Sequence, residues 1–347
     1  MPITGWTGAA LPPTSTSYWI DVAYGNGVFV AINGAGSNVA AYSTDGITWT
    51  PTTLPSVAAW ETVTFISGVF IALTSTFSGG GASNVGAYST DGINWTGSTL
   101  PFSDYWSRPV LGNGTIVSVG VNSISDSVAY STDTGKTWTA SGLPNPNMID
   151  GPYNVSNAVF GNGVFVAYYQ NSYYVAYSTD GVTWNQGTTP ASLTLGGAPF
   201  FLNGLFIIGA GNGNFIYSTD GINWSAGVLP AATSLGLLAY GNGVFTSVSG
   251  ATGLYSTDGI NWSAATLPFN GYWSAILFAD GIFAVVAQLS GNAISSADGI
   301  TWVESAMPLS ADWRGLAYGA SLFVTLASLV STAAYSRPPG NPIYMLT

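Results

Sequence analysis

The chain has 347 residues, 15 acidic and 4 basic side chains, a formal net charge of −11, and neither Cys nor His. That composition excludes a thiol nucleophile, a histidine base, a disulfide framework and a zinc site of the usual ligands. With only Arg108, Lys136, Arg314 and Arg337 positive, neither nucleic acid nor an anionic membrane surface is an expected partner, because both need clustered Lys and Arg. Apolar residues make up 47%, yet the longest apolar runs, LGLLAYGNGVF and AILFADGIFAVVAQL, are cut by Gly, Asn or Asp short of the ~20 residues of a membrane-spanning helix. Membrane insertion is therefore not predicted, and strands buried on both faces account for the hydropathy.

The N-terminus, MPITGWTGAALPP, has neither a basic region nor an apolar one, so no secretory signal is expected. Its TGWTGAALP matches DGINWTGSTLP further on and reads as one outer strand, strand d, without the strands that should precede it. A full unit follows. It runs as strand a (WIDVAY, 19–24), a Gly-Asn-Gly turn, strand b (VFVAI, 28–32), a variable loop, strand c (VAAYS, 39–43), a Ser-Thr-Asp-Gly box, and strand d (ITWTP, 47–51). Short β-branched and aromatic runs bounded by Gly, Asn and Asp are hairpin signals.

The box serines recur at Ser43, Ser89, Ser131, Ser178, Ser218, Ser256 and Ser296, with a degenerate copy at Ser336. Their spacing of about 42 residues is the length of one four-stranded propeller blade. Strand b recurs eight times, from GNGVFVAI to ASLFVTL, and the chain closes with a, b and c strands that lack a d. The sequence therefore predicts an all-β, eight-bladed β-propeller of four-stranded antiparallel blades over residues 1–337. Its N-terminal strand near Trp6 should pair with the strand around Tyr335 and leave no open edge. Residues 338–347, PPGNPIYMLT, read as a C-terminal tail.

In each box, Gly accepts positive φ, while Asp and Ser bond nearby backbone N–H groups. The Trp three residues beyond should fill the space between adjacent blades. Burying an indole of ~200 Å² contributes roughly 5 kcal/mol before entropy is subtracted. Eight Trp belong to this set, at 6, 49, 95, 138, 184, 224, 262 and 302.

The pattern resembles the Asp-box, or BNR, repeat, Ser-x-Asp-x-Gly-x-Thr-Trp, of sialidases, sortilin-type receptors and related propellers. Only STDTGKTW (Ser131 to Trp138) has that full spacing; the other boxes are one residue shorter. The resemblance implies a propeller with its boxes on the face away from the ligand. It does not imply sialidase chemistry here, since Arg337 lies in the degenerate box and Glu is limited to Glu61 and Glu304.

The other five Trp all open strand a: Trp19, Trp60, Trp106, Trp273 and Trp313. Tyr18, Tyr105 and Tyr272 sit beside them, with Asp21, Glu61, Asp104 and Asp312, and with Arg108 and Arg314. The fourth to sixth units carry NVSNAVF, TLGGAPF and LGLLAY there instead. Two readings follow: these Trp extend the core, or they form a rim that stacks on sugar faces while the charged groups bond hydroxyls. The longer b–c loops TSTFSGGGASN and GVNSISDS should flank the same side.

No cofactor is expected. Composition and boxes resemble propeller proteins of bacteriophage particles. The expected function is thus a non-enzymatic binding or structural module on a virion, tail-associated or on its surface, that meets a host glycan or cell-surface receptor and other virion proteins. One alternative is a purely structural virion component. Another is a glycoside hydrolase, for which Asp21, Glu61, Asp104 and Asp312 would supply a carboxyl pair ~5 or ~6.5–9.5 Å apart.

Overall fold

A computed structural model describes residues 1–14, 17–34, 36–75, 81–121, 127–144, 155–190, 193–230 and 233–338. Most of the expected tail and the middles of the two long b–c loops lie outside the described residues. Among those described the chain is all β, with no α-helix.

The opening segment forms β1 (Thr7–Ala10). The first complete unit is an antiparallel sheet of β2 (Trp19–Gly25), β3 (Val28–Asn33), β4 (Ser37–Ser43) and β5 (Thr50–Ala58) in sequence order. Four-stranded sheets of the same order occupy β6 (Trp60–Ile66) to β9 (Thr96–Asp104), β10 (Val110–Gly112) to β13 (Thr139–Gly142), β14 (Val155–Gly161) to β17 (Asn185–Gln186), and β18 (Leu195–Leu202) to β21 (Ser225–Val228).

From β22 (Leu237–Gly241) onward the hydrogen bonding is continuous through nine strands. The reason is that β24 (Ser263–Ala279) and β27 (Val303–Gly319), 17 residues each, pass from strand d of one unit straight into strand a of the next. The order ends with β28 (Leu322–Ser328), β29 (Thr332–Ser336) and then β1, with Thr7 opposite Tyr335. The N-terminal strand therefore lies beside the last C-terminal one, where its sequence expects it.

Neighbouring units share apolar clusters, and each is built the same way: the box Trp of one unit lies among strand-b residues of the unit before. Trp95 joins Val30 and Ile32, Trp138 joins Ile71 and Leu73, Trp184 joins Val117 and Val119, and Trp262 joins Leu205 and Ile207. Trp6 packs with Ile282 and Ala284. Trp49 of the first unit packs with Leu322 and Val324 of the last. The indoles thus fill the space between sheets.

The box turns follow from a small set of bonds. Ser43 Oγ donates to Asp45 Oδ1 (2.9 Å) and accepts from Gly46 N (2.8 Å). Asp45 Oδ1 also accepts from Ile47 N (2.8 Å) and Thr48 N (2.7 Å). In the longer box, Thr134 takes a φ of 65° to absorb the extra residue, and Gly135 N still reaches Ser131 Oγ at 2.9 Å. Gly92 is required twice over: its φ is 72°, and a Cβ there would come within 2.6 Å of Val30 Cγ2.

The Gly-Asn-Gly turns do more than reverse the chain. Asn26, at φ 49°, donates through Nδ2 to Gly68 O and Thr90 O of the next unit, both at 3.1 Å. Asn113, Asn162 and Asn242 make the equivalent pair of bonds. These bonds put the a–b turns and the boxes on one face. At the end of strand a, Gly25 lies against the Phe65 ring and Gly319 against the Tyr24 ring, where a Cβ would approach within 2.1 and 2.2 Å.

Gly319→Ala should therefore lower the unfolding free energy by about 1–3 kcal/mol, the usual cost of overpacking. Gly5→Ala, with nothing within 4 Å of its Cβ, should leave it unchanged. Chemical denaturation of both variants checks this.

The boxes also set an acid limit. At Asp45, Asp91, Asp133, Asp220 and Asp298 partial burial pushes the carboxyl up, but backbone N–H donors and hydroxyl or amide donors outweigh it. At Asp180 and Asp258 the N–H donors of Thr183 and Asn261 lead. All seven lie below the ordinary carboxylate value. A depressed folded pKa gives stability that is present above the unfolded value of about 3.9 and is lost as pH falls through the folded value. The Tm should accordingly hold down to about pH 5 and fall steadily between about pH 4 and 2. A Tm flat across that window would show that the box carboxylates do not act this way.

Candidate functional site

In the units that supply them, the halves of strand a away from the box face border a cavity of about 490 Å³. Its wall is polar. Asp21 and Arg314 come from the first and last units, Glu61 and Arg108 from the second and third, and Asn157, Gln170 and Gln288 from the fourth and seventh. Ser75, Ser107 and Ser274 also border it, as does Thr62, whose hydroxyl is buried.

Arg108 and Asp21 form its central pair. Arg108 Nη2 lies 2.6 Å from Asp21 Oδ2, and Nη1 donates to Val63 O (2.8 Å) and Thr64 Oγ1 (3.0 Å). Asp21 Oδ2 also accepts from Val63 N at 2.8 Å. The carboxylate is buried, at 4% exposure, while half of the Arg108 side chain remains exposed. Burial pushes the Asp21 carboxyl above its ordinary value, against the opposing pull of the Arg108 guanidinium and two backbone N–H donors. Arg108 also borders a smaller cavity of about 260 Å³ nearer the a–b turns, with Tyr24, Phe65 and Tyr318. Val22 and Leu316 line both spaces with it.

Arg314 is oriented by Asp312, whose Oδ2 accepts from Nε and lies 3.0 Å from Nη2. Its guanidinium sits 5.8 Å from the centre of the Tyr18 ring. Asp312 and Tyr18 are not on the cavity wall; they hold a residue that is.

The expected aromatic rim is corrected by burial. Trp19, Trp60 and Trp313 are 0% exposed and Trp106 is 1% exposed, so none of these rings has a face to offer a sugar. Three of these indoles fasten one sheet to the one before: Trp106 Nε1 donates to Ser83 O (2.9 Å), Trp313 to Ser290 O (3.2 Å), and Trp60 to Ser56 O (3.2 Å). Of the two readings of these four Trp, core extension is the one the structure has. Asp104 is likewise buried, with Oδ1 accepting from Tyr105 N at 2.7 Å, and neither residue lines the cavity.

Trp273 is half-buried and Tyr272 is 76% exposed, but they line a separate groove beside the cavity. Sequence reasoning missed Asn157, Gln170 and Gln288. Uncharged amides give no compositional signal, and only their places at the ends of strands a and b point to the wall.

No protein-family model matches the chain, and no curated protein matches it in sequence. Solved structures do resemble it. The computationally designed Ika8 protein is 12% identical with a TM-score of 0.71, covering 95% of this chain and 99% of its own. BamB from Moraxella catarrhalis is 8% identical with a TM-score of 0.66, covering 96% and 100%. A catalytically inactive virginiamycin B lyase from Staphylococcus aureus, solved with quinupristin, is 14% identical with a TM-score of 0.62, covering 96% and 100%. BamB and the lyase are β-propellers, and at these identities the likeness reaches the fold alone: the chain has a β-propeller fold.

Proposed function

We propose that residues 1–337 form an eight-bladed β-propeller whose last blade is completed by the N-terminal strand, and that it is a non-enzymatic binding module for a hydroxyl-rich, sugar-like ligand. The antiparallel pairing of β1 with β29 supports the closure, as does the apolar cluster that joins the first unit to the last. The single observation behind the functional reading is where the charge goes. Charged residues are only 5% of the chain, yet Arg108, Arg314, Asp21 and Glu61 meet on one cavity with three amides. Such a wall offers donors and acceptors in close alternation, which is what sugar hydroxyls require.

Binding fits the wall better than hydrolysis. A glycosidase needs one carboxyl that gives up a proton and another that attacks or activates water. Of the four carboxylates weighed for that role only Asp21 and Glu61 line the cavity, and Asp21 is engaged by Arg108 and by Val63 N. The resemblance of the boxes and composition to phage-particle propellers supports a setting on a virion, with a host-surface glycan as the ligand.

Purified intact chain should bind members of a glycan array. For a glycan that binds, calorimetry on Asn157→Ala with Gln170→Ala should show affinity reduced about tenfold, the loss of two hydrogen bonds of roughly 0.5–1.5 kcal/mol each. Lys136→Ala, in a box on the far face, should bind as the parent does. A blank array rejects the binding reading, and steady release of reducing sugar would replace it with hydrolysis.

A further inference from the structure

The groove beside the central cavity has a volume of about 570 Å³ and is bordered by residues of the fifth, sixth and seventh units. It shares Gln288 with the cavity, and Gln288 is the cross-strand partner of Tyr272. The two spaces are thus neighbours across one amide side chain.

Glycines let the strands bordering the groove pack closely. The groove floor includes Gly197, Gly236, Gly250 and Gly271. A Cβ on Gly236 would stand 2.1 Å from Val248 O, and one on Gly197 would stand 3.1 Å from the Cα of Gly209. Backbone meets backbone at Gly236 and Gly197, and Gly271 lies against the Trp273 ring. Trp273 is fixed in place: its Nε1 donates to Gly250 O at 2.8 Å, and its ring lies 5.0 Å from Phe269. Tyr272 stands beside it, 76% exposed. Asn270 and Ser249 add polar groups to the same lining.

We propose that the ligand is an extended oligosaccharide, which enters the central cavity with one end and lays a further sugar ring in this groove against Tyr272. This rests on reading the central cavity as a sugar site. A pyranose has an apolar C–H face and a rim of hydroxyls. The groove pairs a free aromatic ring with an amide and a hydroxyl at its edge, and the shared Gln288 gives the two rings one continuous path. A peptide strand would need an open strand edge. In the floor Leu237 is paired with Val248 and Gly250 with Gly271, so none is presented there.

The test uses the intact chain with cello-, malto- and chito-oligosaccharides of one to six units, measured by calorimetry. In at least one series affinity should rise tenfold or more between the disaccharide and the tetrasaccharide. Tyr272→Ala, at an exposed position, should erase that rise and leave mono- and disaccharide binding unchanged, whereas Asn157→Ala should weaken every length alike. The proposal is overturned if the rise survives Tyr272→Ala, if affinity does not depend on length, or if no saccharide of any length binds. Short sugars that bind through Asn157 without a gain on lengthening would leave the central site standing and remove the groove. Long sugars that depend on Tyr272 and not on Asn157 would reject the central site and leave the groove as the sugar site.

Discussion

Neighbouring sheets meet at their inner strands through an aromatic ring laid flat on a glycine, and this contact sets how closely they approach. Phe65 lies on Gly25, Phe160 on Gly112, Phe201 on Gly161, Phe278 on Gly241 and Tyr24 on Gly319, each with no room for a Cβ. Interiors packed to crystal density tolerate little change of volume, so the glycine fixes the spacing and the ring fixes the angle. The box Trp and the turn Asn then act on sheets already placed. One fills the gap further out, and the other bonds across it on the box face. The pairing of Tyr24 with Gly319 applies the same rule between the first unit and the last.

Much of this was legible. Box spacing, the eight strand-b runs and the incomplete units at the two ends lead to four-stranded units and to the pairing of Thr7 with Tyr335. These signals are local or periodic, and hairpin chemistry depends on nothing distant. The second job of Asn26 was not legible. A turn asparagine at positive φ explains itself, and only coordinates reveal that its amide reaches Gly68 and Thr90.

Of the six charged residues singled out in the sequence, four line the cavity and Asp104 and Asp312 do not; of the aromatics, only Trp106 does. Asp21, Glu61, Arg108 and Arg314 stand where a rare charged residue is informative. A Trp at the first position of strand a has the same sequence signature whether covered or bare. Even the indole bond is shared, since a carbonyl 23 positions earlier accepts from each ring: Ser83 for Trp106, Ser290 for Trp313 and Gly250 for Trp273. Trp106 and Trp313 are closed over, and Trp273 is left partly open. The TLGGAPF and LGLLAY stretches, which carry neither rings nor charges, turned out to border the groove rather than to mark blank blades.

An ion pair whose carboxylate is buried is weak evidence of stabilisation, because the desolvation of that charge offsets much of the attraction. The Asp21–Arg108 pair therefore needs another reason in a chain that otherwise avoids charge. Its geometry supplies one. Asp21 bonds Val63 N and Arg108 bonds Val63 O and Thr64 Oγ1, so the pair is braced by the second unit while joining the first to the third. Held there, Arg108 lines both the 490 Å³ space and the 260 Å³ one, together with Val22 and Leu316. A ligand of the proposed kind meets a charged floor at that depth and reaches it from the face opposite the boxes, the side on which the groove at Tyr272 opens.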